Sequence, residues 1–282
     1  MEFSVLMSAY SGTRVEDLAV CIGSLRAQTV LADEIVLVLD GPLSEDTANY
    51  IKRVTSSLPI KTVPFSENRG LGHALRKGLL HCRHELVARV DTDDICIPER
   101  FQKQIDFLAE HPDIAVVGGG LREWYDGIND SSFTVRCGPL NPEGVVAYAR
   151  KRNPLNHPTV FLRKSAVLAS GNYKSCLMFE DYFLWARMIQ AGYKIANMPE
   201  VLVETQADSD YFIRRGGMRY ARYEFKFTAR LVEIGFFSPT ERILFLLART
   251  PFRVLPRGIR SLLYKCFLRT SIKWPRFTRQ SD

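Results

Sequence analysis

Along residues 3–117 the chain alternates short, nearly continuous apolar runs with stretches of helical periodicity, and this alternation restricts the fold more than any other feature. Residues 3–8, 34–39, 61–65, 86–90 and 114–117 read as strands, and 15–28, 44–57, 71–82 and 98–110 as helices. Residues 34–39 (Glu-Ile-Val-Leu-Val-Leu) lack the polar alternation of a half-exposed strand, so this strand is expected to be covered on both faces. The helix from Pro98, a residue suited to a first turn, places Phe101, Ile105 and Leu108 on one side. Such spacing predicts an α/β fold with a mostly parallel central sheet flanked by helices. Ligands of such sheets lie outside the carboxyl ends of the strands. After the triple glycine at 118–120 the pattern loosens; short strands within 121–137, a helix over 141–150, a strand over 159–162 and a helix over 178–191 are expected.

Several chemically versatile residues fall at those strand ends. Asp91, Asp93 and Asp94 crowd the end of the apolar run Leu86, Val87, Ala88 and Val90. Carboxylates so close repel one another, and a hard divalent cation such as Mg2+ or Mn2+ neutralises them while sharing its coordination with phosphate. A solvated acidic turn leading into the next helix accounts for the same residues, and the segment alone does not separate the two. Tyr10, after Ser8 and Ala9, suits stacking on a planar base or a plain half-buried position. Asp40 precedes Gly41; an ionised Asp only accepts hydrogen bonds, so it fits a base with a ring N–H such as uracil, thymine or guanine, or else an Asp-Gly turn. Glu180 and Asp181 open a helix beside Phe179, Tyr182 and Trp185, as a general base between aromatic walls or as a capping pair. His157 has a possible contact with phosphate or acceptor, against a structural role. His73, His81, His84 and His111 show no metal-ligand spacing.

Other chemistries are excluded by missing patterns. No Gly-x-Gly-x-x-Gly follows the first strand, and no P-loop or Gly-x-Ser-x-Gly elbow occurs. The six cysteines are scattered without a Cys-x-x-Cys pair, so neither a zinc site nor a disulfide framework is expected. No apolar run reaches the roughly 18 residues of a membrane span. The first residues lack the basic and apolar regions of a signal peptide, which points to the cytoplasm.

The net charge of +7 is unevenly spread. Residues 211–282 hold thirteen Arg and three Lys against three Glu and one Asp, a net of +12, which leaves −5 on residues 1–210. We therefore divide the chain into a catalytic domain over 1–205 and a basic, aromatic-rich helical C-terminal extension over 206–282. Apolar residues such as Ile243, Leu244, Leu247, Leu262 and Phe267 alternate there with arginines, a pattern suited to an anionic membrane surface. A helical cover for the core is the plain alternative. No nucleic-acid-binding module is legible, so nucleic acid is not expected as a partner.

Together these pieces resemble the inverting glycosyltransferases of family 2, which have the GT-A fold. The likeness runs through Val5-Leu6-Met7-Ser8-Ala9-Tyr10, Ser24-Leu25-Arg26-Ala27-Gln28-Thr29, Ile35–Gly41, Asn68-Arg69-Gly70, Asp91-Thr92-Asp93-Asp94 and Glu180-Asp181, across residues 1–205. It is nearest to bacterial enzymes that build exopolysaccharide, O-antigen or lipopolysaccharide core. The resemblance implies that Tyr10 stacks on the donor base, Ser8 and Ala9 line its pocket, and Asp40 accepts from its N–H, uracil fitting best. It places Arg69 near base or phosphates, Asp91, Thr92 and Asp93 on ribose and metal with Asp94 extending the motif, and Asp181 as general base with Glu180 orienting it or touching the acceptor. Arg214 and Arg215 are candidates to close over the diphosphate. The implied partners are a nucleotide-sugar, a divalent metal, and a glycan or lipid-linked acceptor at the inner face of the plasma membrane.

Relatives often carry two acids where this chain has Leu39-Asp40, and the Gln-x-x-Arg-Trp signature of processive synthases is absent, so transfer of one sugar is expected rather than polymerisation. Two alternatives stand. One is a sugar-1-phosphate nucleotidyltransferase, for which Tyr10-Ser11-Gly12-Thr13-Arg14 is a poor Gly-rich loop; the other is a non-catalytic, membrane-associated nucleotide-sugar-binding protein.

Overall fold

Apolar runs flanked by amphipathic helices form a parallel sheet because each crossover helix buries one face of its strand. The computed structural model describes residues 1–125, 133–207 and 217–254. Its first part runs β1 (Phe3–Tyr10), α1 (Val15–Arg26), β2 (Glu34–Asp40), α2 (Glu45–Thr55), β3 (Ile60–Pro64), α3 (Leu71–His81) and β4 (Leu86–Arg89). Then come β5 (Asp94–Cys96), α4 (Arg100–Glu110), β6 (Ile114–Tyr125), β7 (Phe133–Arg136) and α5 (Pro142–Ala149). A 3₁₀ turn (His157–Thr159), β8 (Phe161–Arg163), α6 (Lys164–Ala169), α7 (Glu180–Gln190) and β9 (Lys194–Ala207) follow, and α8 (Gly217–Glu233) and α9 (Pro239–Val254) end the described chain.

The sheet order is β3-β2-β1-β4-β8-β6-β9-β5, with β7 on β6. Strands β3, β2, β1 and β4 are parallel, as the alternation predicts. Beyond them β8 runs antiparallel between β4 and β6, β9 is parallel to β6, and β5 is antiparallel to β9. Only residues 90–93 link β4 to β5 at the far edge of this order, so the sheet curls and the acidic turn crosses its carboxyl edge.

Side chains alternate across the sheet. Phe3, Val5, Met7 and Ala9 enter one layer with α1, α2 and α4, where Phe3 meets Phe101 at 5.0 Å and Phe161 at 5.3 Å between ring centres. Leu6, Val36, Val38 and Val87 enter the other with α3, α6 and α7, around Trp185 and Tyr173. A third, aromatic cluster joins α7 to α8 and α9, with Phe179 stacked on Phe227 at 4.4 Å.

Strands β5 and β9 were not expected. Pro199 lies in β9 where its register against β6 shifts between Gly118↔Asn197 and Gly120↔Val201; proline has no N–H for the ladder and normally argues against a strand. Pro98 sits in the turn before α4, which begins at Arg100. No helix among the described residues is long and apolar enough to cross a membrane. Arg214, Arg215 and the stretch 255–282 lie outside the described residues.

Candidate active site

The carboxyl ends of β1, β2 and β4 converge on one edge of the sheet. Tyr10 ends β1 half exposed, its ring folded over Gly12, where a Cβ would stand 2.6 Å from ring atoms. Ser8 shares Tyr10's face and is partly open. Ala9, next along the strand, turns its methyl group fully into the opposite layer, so any part it has in the pocket is through its backbone.

Asp40 is buried, and its two oxygens accept from the backbone N–H groups of Arg69 (2.7 Å) and Gly70 (2.9 Å). Gly70 adopts φ +84° there, a conformation that favours glycine. In this structure Asp40 thus holds the loop that starts α3. The Arg69 guanidinium points to solvent and meets Glu67 at 3.2 Å, an exposed pair of little energetic weight.

The acidic turn is asymmetric. Asp91 receives a two-pronged hydrogen bond from Arg89, whose side chain is only 2% exposed. Thr92 is buried, Asp93 is exposed, and Asp94 is buried with Oδ2 lacking any partner. One oxygen from each of Asp91, Asp93 and Asp94 lies within 4.8 Å of the others. Burial, then the charges of Asp91 and Asp93, raise Asp94 well above the usual carboxylate range. The crowding of the turn around Asp93, whose outer side stays open to solvent, and the Asp91 charge raise Asp93 as well. An all-oxygen donor set with an orphaned buried oxygen fits a hard divalent cation.

The first turn of α7 supplies a second acidic group, Glu180 and Asp181. Asp181 accepts from Asn153 Nδ2 (2.5 Å) and from the backbone N–H of Tyr182 (2.7 Å), donors that suit a carboxylate. Glu180 is pushed up to about 7, chiefly by burial and also by the neighbouring Asp181 charge. It packs so close to α3 that a Cβ on Gly72 would lie 2.8 Å from its Cγ. Met178, two residues earlier, has φ +69°, a conformation that costs roughly 1–3 kcal/mol in a non-glycine residue.

His157 and the buried Tyr173 pack together within electrostatic reach of Arg89, and Tyr173 within reach of both acidic groups. His157 Nε2 lies 3.1 Å from the Tyr173 hydroxyl, and the imidazole packs against Trp185. Burial and the Arg89 charge lower His157 well below the usual histidine range, which favours the neutral imidazole in this setting. Burial raises the Tyr173 phenol, with Arg89 opposing and Asp181 and Asp91 reinforcing the shift, so this phenol feels both acidic groups.

Sequence reasoning missed Arg89, Asn153 and Tyr173. Arg89 left a signal, since an arginine inside a strand buried on both faces needs an acid partner. Asn153 and Tyr173 lie in loops whose paths only the folded chain fixes.

Residues 4–135 match the family model "Glycosyl transferase family 2". The chain is 40% identical to the amylovoran biosynthesis glycosyltransferase AmsE of Erwinia amylovora over 266 residues, covering 93% of this chain and 98% of that one. This chain belongs to glycosyltransferase family 2. It is 30% identical to the Escherichia coli UDP-Gal:alpha-D-GlcNAc-diphosphoundecaprenol beta-1,3-galactosyltransferase, covering 95% and 97% of the two chains. Among solved structures, Staphylococcus aureus TarS 1–349 with UDP-GlcNAc superposes with a TM-score of 0.65 at 15% identity, over 87% of this chain and 70% of that one. The mannosyltransferase PcManGT from Pyrobaculum calidifontis with GDP-Man and Mn2+ gives 0.64 at 16% identity, over 94% and 75%. The fold of this family 2 glycosyltransferase is therefore GT-A, and family membership replaces the nucleotidyltransferase and non-catalytic readings.

Proposed function

We propose that this glycosyltransferase moves one sugar from a nucleotide-sugar, a UDP-sugar by preference, to a hydroxyl of a lipid-linked acceptor in bacterial surface polysaccharide synthesis, with inversion. The observation that carries this reading is that two unlike acidic groups, Asp91–Asp94 and Glu180–Asp181, lie close enough for both to act on the buried Tyr173 phenol, one suited to a diphosphate and the other to a hydroxyl. The names of the AmsE and galactosyltransferase relatives supply the biological setting and the diphosphate-lipid acceptor class.

Asp181 accepts the proton of the acceptor hydroxyl while that oxygen attacks the anomeric carbon from the face opposite the diphosphate. The bond from that carbon to the phosphate oxygen breaks, and the nucleoside diphosphate departs with the bonding electrons. Glu180, largely protonated below neutral pH, orients the acceptor or Asp181. Asp93 and Asp91 would hold Mn2+ or Mg2+, a Lewis acid that offsets charge on the departing diphosphate. Tyr10 stacks on the base, Ser8 and the Ala9 backbone border it, Asp40 keeps the Arg69 loop at the base or phosphates, and His157 backs the site as a neutral donor or acceptor.

Residues 1–205 carry this chemistry, and residues 206–282 supply a membrane-facing extension at the inner leaflet. Support for that surface is the outer side of α9, where Ile243, Leu244 and Leu247 are exposed, followed by a basic stretch of sequence.

Calorimetric titration with UDP, GDP and ADP, with and without Mn2+, tests the donor site. Metal-dependent UDP binding that disappears in Asp93→Ala is expected, and absence of any nucleotide binding would sink the reading. Asp181→Asn is expected to keep UDP affinity within a factor of two while transfer falls by about a hundredfold or more.

A further inference from the structure

Residues 170–178, between α6 and α7, gather four cations and no acid. Arg187 donates to Ser170 O (2.5 Å) and Asn172 O (2.7 Å), Arg76 to Tyr173 O (3.3 Å), and Arg230 to Ser175 O (2.6 Å). A Cβ on Gly171 would lie 3.2 Å from Arg187 Nη1 and 3.6 Å from Lys174 Nζ, so those two charges share one small space. None of the four forms an ion pair with a carboxylate among the described residues. The crowding shows in their protonation: burial and the Arg230 and Arg76 charges bring Arg187 down to about 10, and burial with Arg187, Arg230 and Arg76 lowers Lys174. Arg187 serves the loop itself. Arg76 and Lys174 are exposed and Arg230 is half-buried, so three positive charges beside this loop are open to a ligand carrying negative charge.

The same loop borders the catalytic pair. A Cβ on Gly72 would meet Glu180 Cγ at 2.8 Å and Lys174 O at 3.3 Å, and Arg76 follows Gly72 on α3 by about one helical turn, ~5.4 Å. Leu177 and Met178, 57% and 43% exposed, lead from the cations to Glu180, with Met178 strained at φ +69°. The proposed function assigns the donor's diphosphate to the acidic turn, so an anion held here belongs to the other substrate.

We propose that Arg76, Lys174 and Arg230 hold the diphosphate of the lipid-linked acceptor, with Leu177 and Met178 against the start of its hydrocarbon chain. This rests on the acceptor class given under the proposed function. It adds where the acceptor's charge sits and why the chain keeps unpaired cations beside its catalytic carboxylates.

The test is calorimetric titration of the full chain in EDTA with farnesyl diphosphate, pyrophosphate and farnesol, alongside UDP with Mn2+. Farnesyl diphosphate is expected to bind the unaltered protein, and Arg76→Gln/Lys174→Gln to weaken that binding at least tenfold with UDP affinity unchanged. Lys174→Gln alone, at an exposed residue, is expected to weaken it about threefold without moving the thermal midpoint. Equal affinity in the double variant overturns the proposal, as does farnesol binding as tightly as farnesyl diphosphate. Pyrophosphate matching farnesyl diphosphate overturns the lipid assignment by making the ligand a free anion. Failure of UDP to bind the unaltered protein would refute the donor site instead, and the farnesyl diphosphate titration would still decide this one.

Discussion

Glu180 and Arg89 show how single side chains set the conditions for this site. An acid raised from 4.5 to about 7 disfavours the folded state once it ionises. Its contribution is fully present below the unfolded value and is lost as pH rises toward 7. Glu180→Gln is therefore expected to match the parent in stability near pH 4 and to exceed it at pH 8, the gap growing by up to about 1.4 kcal/mol per pH unit in between. Urea unfolding across that range measures it, and a gap independent of pH would remove the burial argument. Arg89 works in the opposite sense, since its removal strands Asp91. Arg89→Met is expected to cost ~3 kcal/mol, the lower end for a broken buried pair because the Asp91 side chain keeps 35% of its exposure. Adding Asp91→Asn is expected to restore more than half of that loss in the same unfolding experiment.

Among the elements, α3 fits closely against the sheet. A Cβ at Gly78 would lie 2.5 Å from Leu6 Cδ1 and 2.7 Å from Val38 Cγ2, so the helix rests directly on β1 and β2. Gly78→Val is expected to destabilise by about 1–3 kcal/mol or more through overpacking, read as a lower urea midpoint. Gly72 has a different use, because its missing side chain admits Glu180. Gly72→Ala is expected to leave the urea midpoint within about 0.5 kcal/mol while slowing transfer, since Glu180 can move but its placement beside Asp181 is lost. A transfer rate equal to the parent's would show that the position of Glu180 does not matter.

For the whole molecule, the helical pair α8–α9 is clasped together by a buried acid and rests on α7 through aromatic rings. Glu224 has no exposed surface and takes Arg249 at 2.7 Å and Arg253 at 3.8 Å, while α8 packs Phe227 on Phe179, the residue before Glu180. Glu224→Ala is expected to loosen α9, leaving two arginines without their acid. Limited trypsin digestion would then cut near Arg242 or Arg249 well before the parent is cut. Equal cleavage rates would mean that the aromatic cluster alone holds the pair.

The parallel half of the sheet, its covering helices and the addresses of Tyr10, Asp40, Asp91, Asp93, Glu180 and Asp181 were legible in the sequence, because period-two and helical patterns record burial locally. Strands β5 and β9 were not legible: the first is three residues long, and the second carries Pro199 at a shift in register. Tertiary structure alone decided that Arg89 neutralises Asp91, that Ala9 faces away and that Asp40 holds a loop. It also decided that unpaired cations gather beside Glu180. A sequence states which groups are available and which strand faces they occupy. Desolvation and Coulomb interactions depend on distances between residues far apart in the chain, and those distances exist only once the sheet has curled.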